Sequence, residues 1–562
     1  MEKRDNIYEL YNAIRGELPL DRYMISIISY AYVICCEKRY IRKDDAIYDW
    51  AREIIDHLPN EKANRITNLL NELPFEGIQD YVYAIISDSN NEIRYNEASN
   101  DEISTLAYKL LELDEGGDIV YDMGSGNGNF LANILKKTSE ENIILKDVIG
   151  KEINTEKAIV SKMVLSILNY GNNNAIIKDG NVLDGIDYPY TKGFVFPPLG
   201  MKILLGDKGR MSRLFPPIEF TNRNSGEWVF IDQLLSGIDG NWKAVAFVTG
   251  RALFNDADKA YRTQIIRNGL LESIIELPSG ALTFTGIKPY ILVFSRNNKK
   301  VKLVDASNVL LDERVKRFNQ VKLPVEKILG LYNDKKAPCK TISELKDLDN
   351  ITPSIVLLDV KPMKNGVPLS DVAEVFVGNQ YTLGTFEKNG MLSDEETGYR
   401  ILTSLDIEDG AINWKKLKSI KYEDSKFDKY AVKYNDVIIT SKSSKVKIAV
   451  VDIEPKEKIL VTGGMLIVRP DTSKLDPTYL KIYLDSSQGQ IALKSIQKGE
   501  VIVTISSKGL ATISIPLIDI DKQHFKAVQY KNKLSTLTAY KNEIRKIEDS
   551  LKDFLFMDEE EE

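Results

Sequence analysis

Through residues 1–110 the apolar positions recur at three- and four-residue intervals. YMISIISYAYVICCEKRYI is apolar almost throughout, DDAIYDWAREIIDHL and EKANRITNLLNEL each carry one apolar face, and the turn signals LPN and LPFEG separate them. This spacing predicts a helical N-terminal domain over residues 1–110. Beyond about residue 117 the period changes. Short runs rich in β-branched and aromatic residues, DIVYDM, DVIGKEI, NAIIKDG, GFVF, AVAFVTG, SIIELP and PYILVFS, alternate with helical stretches. That alternation predicts an α/β Rossmann-like domain over 111–310, a mostly parallel sheet with helices on both faces.

A charged, loop-like stretch follows, LLDERVKRFNQVKLPVEKILGLYNDKKAPCKTISELKDLDN, which reads as a connector with helical pieces over 311–350. Residues 351–520 are β-rich again and lack regular helical interruptions. In the closing segment, 521–562, Phe525, Val528, Tyr530, Leu534, Leu537, Tyr540, Ile544, Ile547, Leu551 and Phe554 keep close to three-four spacing. One long amphipathic helix is expected there, with an apolar stripe that needs a partner helix, followed by a solvated acidic tail, DEEEE.

Composition narrows the chemistry. Lys and Arg number 75 against 82 Asp and Glu, a formal charge of −7, which argues against indiscriminate coating of nucleic acid and leaves room for a local basic groove. Cys35, Cys36 and Cys339 are the only cysteines and His57 and His524 the only histidines, so neither a disulfide framework nor a His/Cys metal centre is expected. The N-terminal MEKRDNIYELYNAIRGELPL lacks the apolar core of a signal peptide, and no run reaches about eighteen apolar residues. The expectation is a cytoplasmic protein in a reducing compartment, with no membrane association.

The most informative local pattern is DIVYDMGSGNGNFLANILKK. A strand ends at Asp122, glycines stand at 124, 126 and 128, and a helix starts near Asn129. Glycine lets the backbone turn tightly and approach a ligand closely. The next strand ends at Glu152, whose carboxylate suits the two hydroxyls of a ribose, and the third leads to Asn181, where an adenine edge would lie. No Gly-Lys-Ser or Gly-Lys-Thr follows the glycines, which disfavours a phosphate-binding loop. Asp122 would repel a pyrophosphate and suits an ammonium. S-adenosylmethionine carries an ammonium and a ribose and has no phosphate. The competing reading is a tight strand-to-helix turn with Glu152 merely exposed.

YDMGSGNGNF, GKEIN, GNVL and PPLG, in this order and spacing, resemble the adenine-N6 DNA methyltransferase subunit of type I restriction-modification systems. SGEWVFIDQLLSGIDGNWKAVAFVTGRALF and IIRNGLLESIIELPSGALTFTGIKPYILVFSRN extend the resemblance over about residues 1–310. It implies S-adenosylmethionine as cofactor, held by Asp122, Gly124, Ser125, Gly126, Glu152 and Asn181. VPLSDVAEVFVGNQYT, VKYNDVIITSKSSKVKIAVV, LDPTYLKIYLDSSQGQIALKSIQKG and ISSKGLATISIPLIDIDKQ, then the long helix, resemble half of a type I specificity subunit. The implied architecture is a modification chain fused to one target-recognition domain over 351–520. The implied partners are double-stranded DNA, a second subunit through the C-terminal helix (a homodimer or hetero-oligomer), and a restriction or phage-defence subunit.

That family extrudes adenine into a pocket. There an Asp or Asn side chain and the carbonyl of the following proline accept hydrogen bonds from the amine, and an aromatic residue after the second proline stacks on the base. Here the loop is Phe196-Pro197-Pro198-Leu199. Phe196 accepts no hydrogen bond and Leu199 has no π-face. A missing acceptor costs roughly 3 kcal/mol, about a hundredfold in rate. The missing stack costs roughly 1 to 3 kcal/mol of base capture. Two readings follow: a site-specific adenine-N6 methyltransferase with an atypical loop, or a catalytically impaired pseudo-methyltransferase acting as a cofactor- and DNA-binding adaptor. For DNA contact the candidates are Lys415, Lys416, Lys418 and Lys421 in WKKLKSIKY and Lys442, Lys445 and Lys447 in SKSSKVK, lysines placed to neutralise phosphates. A solvated hairpin face is the alternative for each cluster.

Overall fold

The computed structural model describes residues 22–57, 60–87, 101–169, 174–186, 188–201, 209–282, 287–309, 323–360, 363, 365–421, 425–443, 445–499 and 503–552. The start of the expected N-terminal domain, the beginning of the expected connector, Phe554 and the acidic tail lie outside them. The chain divides into two units, Met1–Leu357 and Leu358–Glu562.

The first unit begins with five helices, α1 (Tyr23–Glu37), α2 (Asp45–Asp56), α3 (Asn60–Asn71), α4 (Phe75–Ser87) and α5 (Asp101–Leu111). Thirteen residues of α1, from Tyr23 to Cys36, are buried. A helix apolar on every side must be enclosed on every side. The sheet elements follow: β1 (Ile119–Met123), α6 (Asn129–Glu140), β2 (Asp147–Glu152), α7 (Thr155–Ile167), β3 (Ala175–Asp179), β4 (Tyr190–Val195), α8 (Gly226–Ser236), β5 (Ile238–Thr249), α9 (Lys259–Arg267), β6 (Leu271–Glu276), β7 (Pro289–Phe294), β8 (Lys300–Asp305), α10 (Val325–Asn333) and β9 (Cys339–Thr341). All seven β-rich runs of the sequence appear as strands. Their order in the sheet is β3-β2-β1-β4-β5-β7-β6-β8-β9. Most neighbours are parallel; β7 runs antiparallel between β5 and β6, and β9 antiparallel to β8.

Alternation along the strands sorts two cores onto the two faces. Val120, Val148, Phe194, Val245 and Phe247 join the core built with α1, α4, α5, α6 and α7. Tyr121, Met123, Ile149, Val195, Ala246 and Val248 join the other, with α8 and α9. The N-terminal helices therefore share a core with the sheet rather than forming one of their own. The segment read as a connector likewise carries α10 and the ninth strand, β9, in the same unit. Its charged residues hid a strand of only three residues, Cys339–Thr341.

In the second unit β10 (Ala373–Val377), β11 (Tyr399–Leu402), β12 (Lys418–Ile420), β13 (Val437–Thr440), β14 (Ile448–Val450), β15 (Lys458–Val461) and β16 (Met465–Pro470) form two small sheets, β10-β16-β13-β14 and, after the edge pair Leu392–Ser393, β12-β11-β15. Two helices the sequence reading did not separate out follow, α11 (Pro477–Asp485) and α12 (Ser487–Ser495). Their caps are local: Asp476 accepts the Tyr479 N–H, with Pro477 in the first turn, and Ser486 accepts the Gly489 N–H. The closing helix α13 spans Ile520–Lys552. Among the described residues no helix is long and apolar enough to cross a membrane.

Candidate active site

The order of the strands reverses between β1 and β4, and in parallel sheets the crevice at such a switch, beyond the carboxyl ends of the strands, is where ligands bind. The register brings Met123 opposite both Lys151 and Val195, so β1, β2 and β4 end at one edge. Asp122, the glycine turn, Glu152 and the proline loop therefore meet there, together with Asn181, two residues beyond the end of β3.

The turn depends on its glycines. Gly124, Gly126 and Gly128 have φ of +89°, +54° and +87°, values that L side chains resist. A Cβ on Gly124 or Gly126 would meet nothing within 4 Å, so their backbone faces open space, whereas one on Gly128 would lie 2.6 Å from Ser161 Oγ. The first two glycines leave room for a ligand, and the third lets α6 close on α7. Gly124 and Ser125 donate their N–H groups to the Lys151 carbonyl at 3.0 and 3.1 Å, pinning the turn to β2.

Glu152 is almost fully buried and is already committed to the loop: Oε2 accepts the Gly126 N–H at 2.8 Å and Oε1 the Asn154 N–H at 2.9 Å. The competing reading of a merely exposed carboxylate does not hold. Asp122 is also buried, and burial first, then the charge of Glu152, pushes its carboxyl well above the usual carboxylate range. Neither acid has an ion-pair partner among the described residues. Two buried carboxylates with no cation make a site that repels phosphate and suits a positively charged ligand. Asn181 uses Oδ1 to accept the Leu183 N–H at 3.0 Å, and its side chain is only partly buried. The Ser125 side chain lies against β2, its Oγ and Cβ 2.7 and 2.8 Å from where a Gly150 Cβ would sit.

In the proline loop Phe194 stacks on Phe130 with ring centroids 3.9 Å apart, and Phe196 meets Phe247 edge-on at 5.1 Å. Phe196 and Leu199 both pack, partly buried, against the core beneath them; Pro197 is buried and Pro198 exposed. Phe196 thus brings packing to the loop and no polar atom. The sequence reading overlooked Glu227, which lies at this loop: it is buried, and its Oε1 accepts the Gly200 N–H at 3.4 Å and the Thr249 hydroxyl at 2.8 Å. In sequence Glu227 looks like any acidic residue in the first turn of a helix, where the dipole alone explains it.

The lysines of the second unit divide. Lys447 Nζ donates to the carbonyls of Ser404 and Ile407 at 2.7 and 2.9 Å and holds a turn together, which removes it from the DNA candidates. Lys416 pairs with Glu408 at 2.5 Å and Lys418 with Glu387 at 3.4 Å, both exposed. Lys445 is exposed within the field of Asp409. Lys415, Lys421 and Lys442 stand exposed without an ion pair among the described residues.

A sheet in this order, with β7 antiparallel and a glycine turn after β1, is a Rossmann-like fold. Residues 99–366 match the model of the N-6 DNA Methylase family. The chain is similar to the methylase subunit of the type I restriction enzyme MpnII of Mycoplasma pneumoniae, 27% identical over 242 residues, 39% of this chain and 44% of the relative. It is also similar to the specificity subunit of the type I restriction enzyme EcoBI of Escherichia coli, 23% identical over 354 residues, 57% of this chain and 70% of the relative. Likeness to both kinds of subunit is consistent with a fusion of the two. The chain spans less than half the length of the methylase subunit it matches. Among solved structures, the type I restriction-modification system methyltransferase subunit from Streptococcus thermophilus shares the fold, with a TM-score of 0.50 and 14% identity, covering 63% of this chain and 98% of that one.

Proposed function

We propose that the chain is a site-specific DNA adenine-N6 methyltransferase of a type I-like restriction-modification or phage-defence system. In this reading it uses S-adenosylmethionine and reads double-stranded DNA through its own second unit. The observation that carries the reading is the meeting, at one sheet edge, of an open glycine turn, two buried carboxylates without an ion-pair partner among the described residues, and the proline loop. These residues fit the cofactor. Asp122 would take the ammonium, Glu152 the ribose while bracing the turn, Asn181 the adenine edge, and the backbone of Gly124 and Gly126 the close approach. When bound, S-adenosylmethionine supplies an electrophilic methyl group. Pro197 offers its carbonyl to the amine of an extruded adenine. Lys415 and Lys442 are the best candidates for phosphate contact, and the apolar stripe of α13 for pairing with a second subunit.

The test is transfer of labelled methyl groups from S-adenosylmethionine to a random-sequence DNA pool. Incorporation at adenine N6 is expected; none, with cofactor binding measurable by calorimetry, overturns the reading. A second reading, an impaired adaptor that binds cofactor and DNA without turnover, is favoured by the apolar seat of Phe196 against Phe247. It requires that the Phe196→Asn, Leu199→Phe double variant gain activity that the wild type lacks.

A further inference from the structure

The carboxylate of Glu227 is divided between two uses. Glu227 is the second residue of α8 and is 1% exposed. Its Oε1 accepts the Thr249 hydroxyl at 2.8 Å, the Thr249 N–H at 3.3 Å and the Gly200 N–H at 3.4 Å. Its Oε2 is buried and has no hydrogen-bond partner among the described residues. Buried carboxylate oxygens are ordinarily satisfied, because an acceptor stripped of water and left without a donor destabilises the fold. An oxygen left in that state next to a ligand loop is explained if the ligand brings the donor.

The position is specific. Gly200 follows Leu199 directly, and Thr249 closes β5, which pairs with β4 through Val195 and Ala246. Glu227 therefore sits where the ends of β4 and β5 carry the proline loop. We propose that Glu227 Oε2 is the hydrogen-bond acceptor for the exocyclic amine of the extruded adenine, the role that Phe196 is chemically unable to fill. This rests on the methyltransferase reading given above. An amine whose lone pair is drawn into the ring gains nucleophilicity when its N–H groups donate to a strong acceptor. The nitrogen lone pair forms the N–C bond as the C–S bond of the methyl donor breaks, the bonding electrons remaining on sulfur. The proton then lost from nitrogen passes to Glu227 Oε2 and on to water. Pro197, through its carbonyl, takes the second N–H.

The test is Glu227→Gln in the full chain. Glutamine keeps Oε1 and its three donors, so the link between Gly200 and Thr249 survives, while an NH2 replaces the acceptor. The expected result is a fall in kcat of about a hundredfold or more, with unchanged affinity for S-adenosylmethionine and DNA and an unchanged melting temperature. Adding Phe196→Asn to the Glu227→Gln variant returns an acceptor to the loop and is expected to restore activity by about tenfold or more. A purely structural role predicts no such rescue. Wild-type turnover with a Glu227→Gln kcat within about threefold of it overturns this assignment and leaves the methyltransferase reading standing. A loss of kcat accompanied by a lower melting temperature and no rescue also overturns it. A wild type that binds cofactor and DNA but transfers no methyl group overturns both.

Discussion

Asp122 is held out of water at the end of β1, and the charge of Glu152, which acts on it, is of the same sign. A folded pKa raised above the unfolded value means that the folded state binds the proton more tightly. The contribution of Asp122 to stability is therefore complete at acid pH and is lost as pH rises from the ordinary carboxylate range through the raised folded value. A cation bound beside it would offset that loss. Asp122→Asn is expected to melt at a higher temperature than wild type at neutral pH without cofactor, the difference vanishing toward acid pH. The same variant is expected to bind S-adenosylmethionine about tenfold more weakly or worse, ~1.4 kcal/mol. Scanning calorimetry across pH and titration calorimetry check the two halves; a lower melting temperature at neutral pH would refute the electrostatic account. At this scale the sequence exposes residue types but not their partners. Asp122, Glu152 and the three glycines stand out because their spacing is local. Glu227 does not, because its partners Gly200 and Thr249 lie 27 and 22 residues away.

Among the elements, α13 is the one whose apolar pattern the structure leaves uncovered. Its first turn is tied down: Gln523 accepts the Asp476 N–H at 2.9 Å and donates to the carbonyls of Lys474 and Ile518, and His524 meets Asp476 at 2.6 Å. Leu537, Tyr540, Ile544, Ile547 and Leu551, spaced three and four apart, are all at least half exposed. Such a stripe is the seam of a helix pair. Ile544→Asp with Ile547→Asp places two charges in that seam. The expected outcome is a shift from dimer or larger assembly to monomer in light scattering, with the melting of the two units unchanged. A wild type that is already monomeric at high concentration would refute self-pairing through this helix. The start of α13 was legible to within a few residues because its period is uninterrupted. The helices α11 and α12 were not separated out, since Asp476-Pro477 and Ser486 mark helix starts that a short, mixed apolar run resembles equally in a β-rich segment.

Across the whole molecule the formal charge of −7 conceals how the lysines of the second unit are used. Some are spent on backbone carbonyls or carboxylates, which leaves Lys415, Lys421 and Lys442 exposed and without an ion pair among the described residues. Exposed ion pairs such as Lys416–Glu408 are weak and exchange readily with a phosphate. If Lys415 and Lys442 each neutralise one phosphate, the Lys415→Ala, Lys442→Ala double variant should lower the slope of log Kd against log salt by about 2. It should weaken binding about equally on all sequences; an unchanged slope would assign both lysines to a solvated face. Periodicity alone determined the seven strands and the long helix, and local glycine and acid spacing determined the glycine turn, because each is written in neighbouring residues and obeys the pitch of one element. Tertiary structure alone decided that the N-terminal helices share the core of the sheet, that β9 extends it, that Lys447 is structural, and that a buried Glu227 lies beside a loop lacking its own acceptor. Those facts depend on which residues meet across the sheet and at its edge, and contacts between distant segments leave no period in the chain.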